Sequence, residues 1–388
     1  MISPLQSQLD ALDAHSIERT GKLVDLVLTE AIRRGASDVH FEPTHHTLEI
    51  RFRLDGVLHR VAHLNRDLAV NVVARLKVLA ELLTYRQDIP QEGRLSHDQY
   101  GVDMRVSTFP TIHGEKAAVR LFGAGSMILD LEQVGLPGAI LAELQTLFLE
   151  RTGAIFLTGP SGSGKTTTIY ACLRHLLHAS KGGRHIVTIE DPVEQVLEGI
   201  SQAQARPGTE FDFARGLRSL LRQDPEIIMI GEVRDSDTAH IAIEAALTGH
   251  LVLSTLHAGS ACGVISRLLE MGIESYLLTS GLKGILNQRL LRRLCEACRH
   301  KTDHGWEPVG CERCFATGYQ GRLLLAELIL IDEALRHAIL SRADTAALER
   351  CAAQAGRPTI WHAAERVWSE GRTTRQEVTR VLGPRRDA

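Results

Sequence analysis

Aromatic residues are scarce, at 4% of 388 residues. That leaves few platforms on which the bases of single-stranded nucleic acid could stack. No charge is in surplus either: 44 Lys and Arg face 47 Asp and Glu, for a formal net charge of -3. Duplex binding needs clustered excess cations, so no nucleic-acid partner is expected. No uninterrupted apolar run is long enough to cross a bilayer. The first twenty residues carry Asp10, Asp13 and Glu18 and no apolar core, so they read as a loosely held N-terminus (1–20) and not as a signal peptide. An intracellular protein is expected.

What is abundant is apolar residues and glycine. A hydrophobic content of 44% supports real cores, and 33 glycines punctuate them. The sequence is organised around Gly159-Pro160-Ser161-Gly162-Ser163-Gly164-Lys165-Thr166. A buried strand, Ala154 to Thr158, precedes it, and a helical pattern through Thr167, Ile169, Ala171, Leu173 and Leu176 follows. Strand, glycine loop and helix is the context of a phosphate-binding loop. Its backbone N–H groups point at an anion, and the helix N-terminus adds partial positive charge. Lys165 would reach the β and γ phosphates of a nucleotide, and Thr166 would offer its hydroxyl to Mg²⁺.

Upstream, residues 21–34 read as an amphipathic helix stopped by Gly35, and Leu48 to Leu54 as an alternating strand turned by Asp55-Gly56. A helix is expected from Asp67 to Leu83. Two further alternating strands place Arg105 and Arg120 on polar faces. This is an α+β domain over 21–122, with a linker at 123–130 around Gly123-Ala124-Gly125-Ser126.

Beyond the linker, apolar strands end at Glu190-Asp191-Pro192-Val193-Glu194, at Gly231-Glu232-Val233-Arg234-Asp235 and at His257. Continuous apolar runs suit a parallel sheet covered on both faces, whose ligands bind beyond the carboxyl ends of the strands. Glu190 and Glu232 would order the metal's waters and the attacking water, with Glu194 a weaker candidate. His257 reads either as a γ-phosphate sensor or as a histidine satisfied by backbone. The pairs Cys295-x2-Cys298 and Cys311-x2-Cys314, twelve residues apart, present four thiolates suited to a closed structural Zn²⁺ site.

Several motifs in order resemble the type II secretion and type IV pilus ATPases, the traffic motors related to general secretion pathway protein E. They are Ala36-Ser37-Asp38-Val39-His40-Phe41-Glu42-Pro43, Arg51 to Gly56, Arg105-Val106-Ser107, the glycine loop, Thr188 to Glu194, Leu221 to Pro225 and Thr248 to His257. The resemblance runs from about residue 20 to the end. It implies a RecA-like α/β P-loop domain with a parallel-rich sheet over 131–332, a PAS-like α+β domain before it, an inserted zinc subdomain at 290–318 and a helical part over 333–388. It implies Glu190 or Glu232 as the catalytic glutamate, arginine fingers at Arg105 and Arg120, and Arg322 near the γ-phosphate. It also implies a homo-hexamer using Mg-ATP, recruited to the cytoplasmic face of the inner membrane by platform proteins of a secretion or pilus machine. The four cysteines favour the secretion and pilus-extension branch. Ala258-Gly259 replaces the family's usual Thr-Asn after the second histidine.

Overall fold

Alternation of apolar and polar residues builds the first third of the molecule. In Thr47–Leu54 every second side chain is buried, and the same pattern recurs in Asp38–Pro43 and Asp103–Thr111. The computed structural model describes residues 4–13, 16, 18–95, 100–122, 130–206, 208–303 and 305–385. The expected linker at 123–130 lies outside them except for Asp130. The chain divides into two units, Met1–Met127 and Ile128–Ala388.

The N-terminal unit runs α1 (Pro4–Asp10), α2 (Arg19–Arg33), β1 (Asp38–Pro43), β2 (Thr47–Leu54), β3 (Val57–Asn65), α3 (Ala69–Leu79), β4 (Gln91–Leu95), β5 (Asp103–Thr111) and β6 (Gly114–Phe122). Its six strands lie in the order β3-β2-β1-β6-β5-β4, with every neighbouring pair antiparallel. Asp55 and Gly56 both take positive φ, as a two-residue hairpin turn requires.

Two expectations change here. The N-terminal stretch is not all loose: Leu5 and Leu9, four residues apart on α1, are buried in the core of this unit. The helix expected over 67–83 is a short 3-10 turn, Arg66–Leu68, followed by α3, which stops at Leu79. A Cβ on Gly93 would lie 2.3 Å from the Ala80 carbonyl oxygen. The helix therefore ends where β4 passes its backbone, and Glu81 leaves in a left-handed conformation at φ 56°.

The C-terminal unit begins with α4 (Gly138–Leu147), β7 (Gly153–Thr158), α5 (Lys165–Ala179), β8 (Ile186–Glu190), β9 (Ser201–Gln204), α6 (Phe213–Leu220) and β10 (Ile227–Ile230). It continues through α7 (Ser236–Leu247), β11 (Leu251–Leu256), α8 (Ala261–Glu270), α9 (Ser275–Gly281), β12 (Leu282–Leu294), β13 (His300–Thr302), β14 (Gly305–Glu307) and β15 (Tyr319–Leu330). Four helices close the chain: α10 (Glu333–Leu340), α11 (Thr345–Gln354), α12 (Ile360–Ser369) and α13 (Arg375–Leu382). The seven-stranded sheet has the order β15-β12-β7-β11-β10-β8-β9, parallel throughout except for β15 against β12. Every residue of β7, β8, β10 and β11 is buried, which is why they read as unbroken apolar runs.

The fold matches the expected parallel-rich α/β sheet. The closing helices share its cores: Leu335, Ile339 and Leu348 pack with the sheet, while Ala364 and Val378 pack with Leu291, Leu323 and Leu325.

Candidate functional site: a nucleotide cavity and a cysteine cluster

The glycine loop connects β7 to α5. Gly159 has φ 145°, and a Cβ there would sit 2.4 Å from the Gln288 carbonyl oxygen on β12, so no larger residue fits. Gly164, at φ 89°, turns the chain into α5. The first N–H groups of that helix face a cavity of about 400 Å³.

Lys165 is 8% exposed, and its Nζ donates to the carbonyls of Gly159 at 2.8 Å and Pro160 at 3.0 Å. Burial pushes its pKa below the usual lysine value, with the Glu232 charge opposing and Arg289 adding to the drop. Thr166 Oγ1 lies 3.5 Å from Glu194 Oε1, so Glu194 stands beside the hydroxyl suited to Mg²⁺.

Ser161, Gly162, Gly164, Lys165, Thr166 and Thr167 all line this cavity, and so do Glu190, Glu232, His257 and Arg322. Ser163 is buried beneath the loop. Glu190 ends β8 at 4% exposure, with Oε1 accepting from Thr188 Oγ1 at 2.5 Å and Gln202 Nε2 at 3.1 Å and Oε2 from the Tyr170 hydroxyl. Glu232 follows β10. It pairs with Arg234, and its Oε2 lies 3.5 Å from His257 Nε2. His257 thus faces a carboxylate, and the reading of it as a histidine satisfied only by backbone does not hold.

Three neighbours of the site went unassigned from sequence. Tyr170 lies four residues after Thr166, a spacing that could have revealed it as a residue of the loop-bearing face. Arg234 pairs with Glu232 and reaches 3.9 Å from Asp191. Arg289, buried on β12, donates to Asn287 Oδ1 at 2.6 Å and to the Gly259 carbonyl at 2.6 Å. The Ala258-Gly259 segment is therefore held through its backbone, with Ala258 N also donating to Thr158 Oγ1 at 3.1 Å.

Arg105 and Arg120 belong to the other unit. They are direct cross-strand partners on the solvent face of β5 and β6. Arg105 lies 3.5 Å from Glu92 and Arg120 3.1 Å from Asp38, with side chains 45% and 66% exposed.

The four cysteines bracket the β13–β14 hairpin. Sγ separations are 3.9 Å for Cys295–Cys311, 3.7 Å for Cys298–Cys314 and 3.8 Å for Cys311–Cys314. A tetrahedral Zn²⁺ with ~2.3 Å Zn–S bonds sets sulfurs about 3.8 Å apart, so the group fits zinc. Burial raises the Cys314 thiol, but N–H groups of Cys311 and Gly318, each 3.2 Å from its sulfur, help hold it at about 7. Among the described residues this is the one cluster of cysteine, histidine or carboxylate groups arranged for a metal.

The comparisons with known proteins agree with this geometry. The family model described as type II/IV secretion system protein matches residues 12–380. The type II secretion system protein E of Klebsiella pneumoniae is 45% identical, over 85% of this chain and 69% of its own length. The type II secretion system ATPase E of Vibrio cholerae is 41% identical, over 96% of this chain and 77% of its own. Among solved structures, the pilus retraction motor PilT with bound ADP is 26% identical with a TM-score of 0.62, covering 93% of this chain and 96% of that one. The Legionella pneumophila ATPase DotB, 22% identical, shares the fold at a TM-score of 0.70, over 94% of this chain and 96% of that one. With a phosphate loop, two carboxylates and a tetracysteine cluster in place, the chain belongs to the type II/IV secretion system protein family and is a secretion-type ATPase that uses ATP and Mg²⁺.

Proposed function

We propose that this ATPase works as a homo-hexameric motor at the cytoplasmic face of the inner membrane, driving assembly of pilin or pseudopilin subunits through a membrane platform. The observation that carries the catalytic part is the convergence of Lys165, Thr166, Glu190, Glu232 and Arg322 on one cavity. Phosphoryl transfer needs little covalent chemistry from the protein, so positioning and charge neutralisation are most of catalysis. Lys165 and the loop N–H groups bind the β and γ phosphates. Thr166 holds Mg²⁺ with help from the nearby carboxylates, and Glu190 and Glu232 orient and deprotonate the attacking water. His257, beside Glu232, is suited to report the γ-phosphate.

Arg105 and Arg120 act as arginine fingers on the γ-phosphate. A guanidinium brought to the equatorial oxygens accelerates such reactions by roughly 10³–10⁵, or ~4–7 kcal/mol. What supports this is the exposure of both side chains on a sheet face rich in arginine. Among the described residues no helix is long and apolar enough to cross a membrane, which suits recruitment through partners.

The test is ATPase activity of the purified chain. Lys165→Ala and Glu232→Ala are expected to abolish it. Equal turnover by wild type and Lys165→Ala would refute the reading.

A further inference from the structure

Tyr170 is a polar group in the nucleotide cavity to which the scheme above gives no task. It sits one helical turn beyond Thr166 on α5, its ring lines the cavity, and the residue is 5% exposed. Its hydroxyl donates to Glu190 Oε2 and accepts from the Glu194 N–H at 3.3 Å. On the other side of the carboxylate, Thr188 Oγ1 and Gln202 Nε2 donate to Oε1. Donors from α5, β8 and β9 thus fix a side chain that otherwise has three rotatable bonds.

We propose that Tyr170, together with Thr188, forms a hydroxyl cradle that aims the Glu190 carboxylate, making Tyr170 a positioning residue for ATP hydrolysis. The geometry distinguishes this from simple satisfaction of a buried hydroxyl. The tyrosine spends both its donor and its acceptor on the Glu190–Glu194 segment, and it does so from the helix that starts with Lys165 and Thr166. The distance between the phosphate-binding groups and the carboxylate is therefore set through a single rigid element. Burial and the Glu190 contact both push the Tyr170 pKa up, so the hydroxyl stays protonated and remains a donor. The inference rests on Glu190 taking part in hydrolysis, as proposed above.

The test is a double-mutant cycle in the full chain with Tyr170→Phe, Glu190→Gln and the two combined, reading kcat, KM for ATP and melting temperature. Tyr170→Phe is expected to lower kcat about tenfold with KM within twofold, because small misplacements of a catalytic group act on the chemical step. In the Glu190→Gln background it is expected to change kcat by less than twofold. A Tyr170→Phe protein with wild-type kcat overturns the inference and leaves the ATPase reading intact, as does a tenfold loss repeated in the Glu190→Gln background. A Glu190→Gln protein as active as wild type overturns both this inference and the assignment of Glu190. If Tyr170→Phe shows no cooperative melting, Thr188→Val takes its place in the same cycle, and additivity with Glu190→Gln overturns the cradle.

Discussion

The nucleotide cavity and the outer face of the N-terminal sheet are both rich in charge, but they treat it in opposite ways. In the cavity each charge has a protein partner: Lys165 is held by two carbonyls, Glu190 by three donors, and Glu232 by Arg234 and His257. On the N-terminal face, Arg53, Asp38, Arg120, Arg105 and Arg94 follow one another in register across five strands. Asp38 is the one carboxylate in the row, 3.4 Å from Arg53 and 3.1 Å from Arg120, and Glu92 lies near Arg105. Like charges directly opposite one another on a sheet destabilise it. A balanced cavity can fold around its own groups, whereas a row of repelling guanidiniums is an arrangement suited to an anion brought from elsewhere.

That contrast breaks most sharply under mutation of the row. Replacing both Arg105 and Arg120 by Ala is expected to lower kcat by about 10²–10³, or ~3–4 kcal/mol of transition-state stabilisation. The melting temperature should hold or rise slightly, because exposed pairs contribute little and repulsion is relieved. Steady-state ATPase and calorimetry on the same samples check both halves. Full activity in the double variant would leave the row without a catalytic role.

How much of this was readable in advance differs between the two regions for the same physical reason. The loop, Glu190, Glu232 and His257 were legible because each follows a short apolar strand of its own, and parallel strands bring their carboxyl ends together without any register being known. The arginine row was half legible: alternation placed Arg105 and Arg120 on polar faces, but aligning them with Arg53 and Arg94 takes strand pairings set by long-range contacts. β12 and β15 were missed, since a leucine- and arginine-rich run buried on both sides shows no period of two. Tyr170 went unassigned, because its contact with Glu190 joins α5 to the end of β8 and exists only in the fold. Local ligand spacing exposed the four cysteines. It did not expose what lies under them: Arg292 and Glu377, 85 residues apart, pair at 2.8 Å, and Leu294 N donates to Arg372 O at 2.8 Å.

Those contacts tie the cysteine module to α13, so metal loss should be felt beyond the module. Chelation or Cys314→Ser is expected to lower the melting temperature by roughly 5–10 °C, since structural zinc contributes folding free energy directly. Calorimetry with and without added Zn²⁺ checks this, and an unchanged transition would mean that the thiols hold no structural metal.

The smallest effect concerns a carboxylate that neither region uses in the scheme above. Glu327 on β15 accepts from Asn287 Nδ2 at 3.1 Å, yet burial pushes its pKa above the usual value and the Glu349 charge adds to the rise. A carboxyl whose folded pKa is raised costs nothing while both folded and unfolded forms are protonated, below about pH 4.5. The cost builds up as pH rises from the ordinary carboxyl value towards the raised folded pKa, because the unfolded carboxyl ionises freely while the desolvated native one resists, and it levels off above that pKa. Glu327→Gln keeps an acceptor for Asn287 and removes the charge. It should therefore raise the melting temperature by about 2–4 °C near pH 8, or ~1 kcal/mol, with the gain shrinking towards zero as pH falls to the ordinary carboxylate range. Melting curves across that pH range decide the matter. A gain independent of pH would point to packing, and a loss at pH 8 would show that the Glu327 charge is needed by Arg289, whose positive charge opposes the rise in the Glu327 pKa.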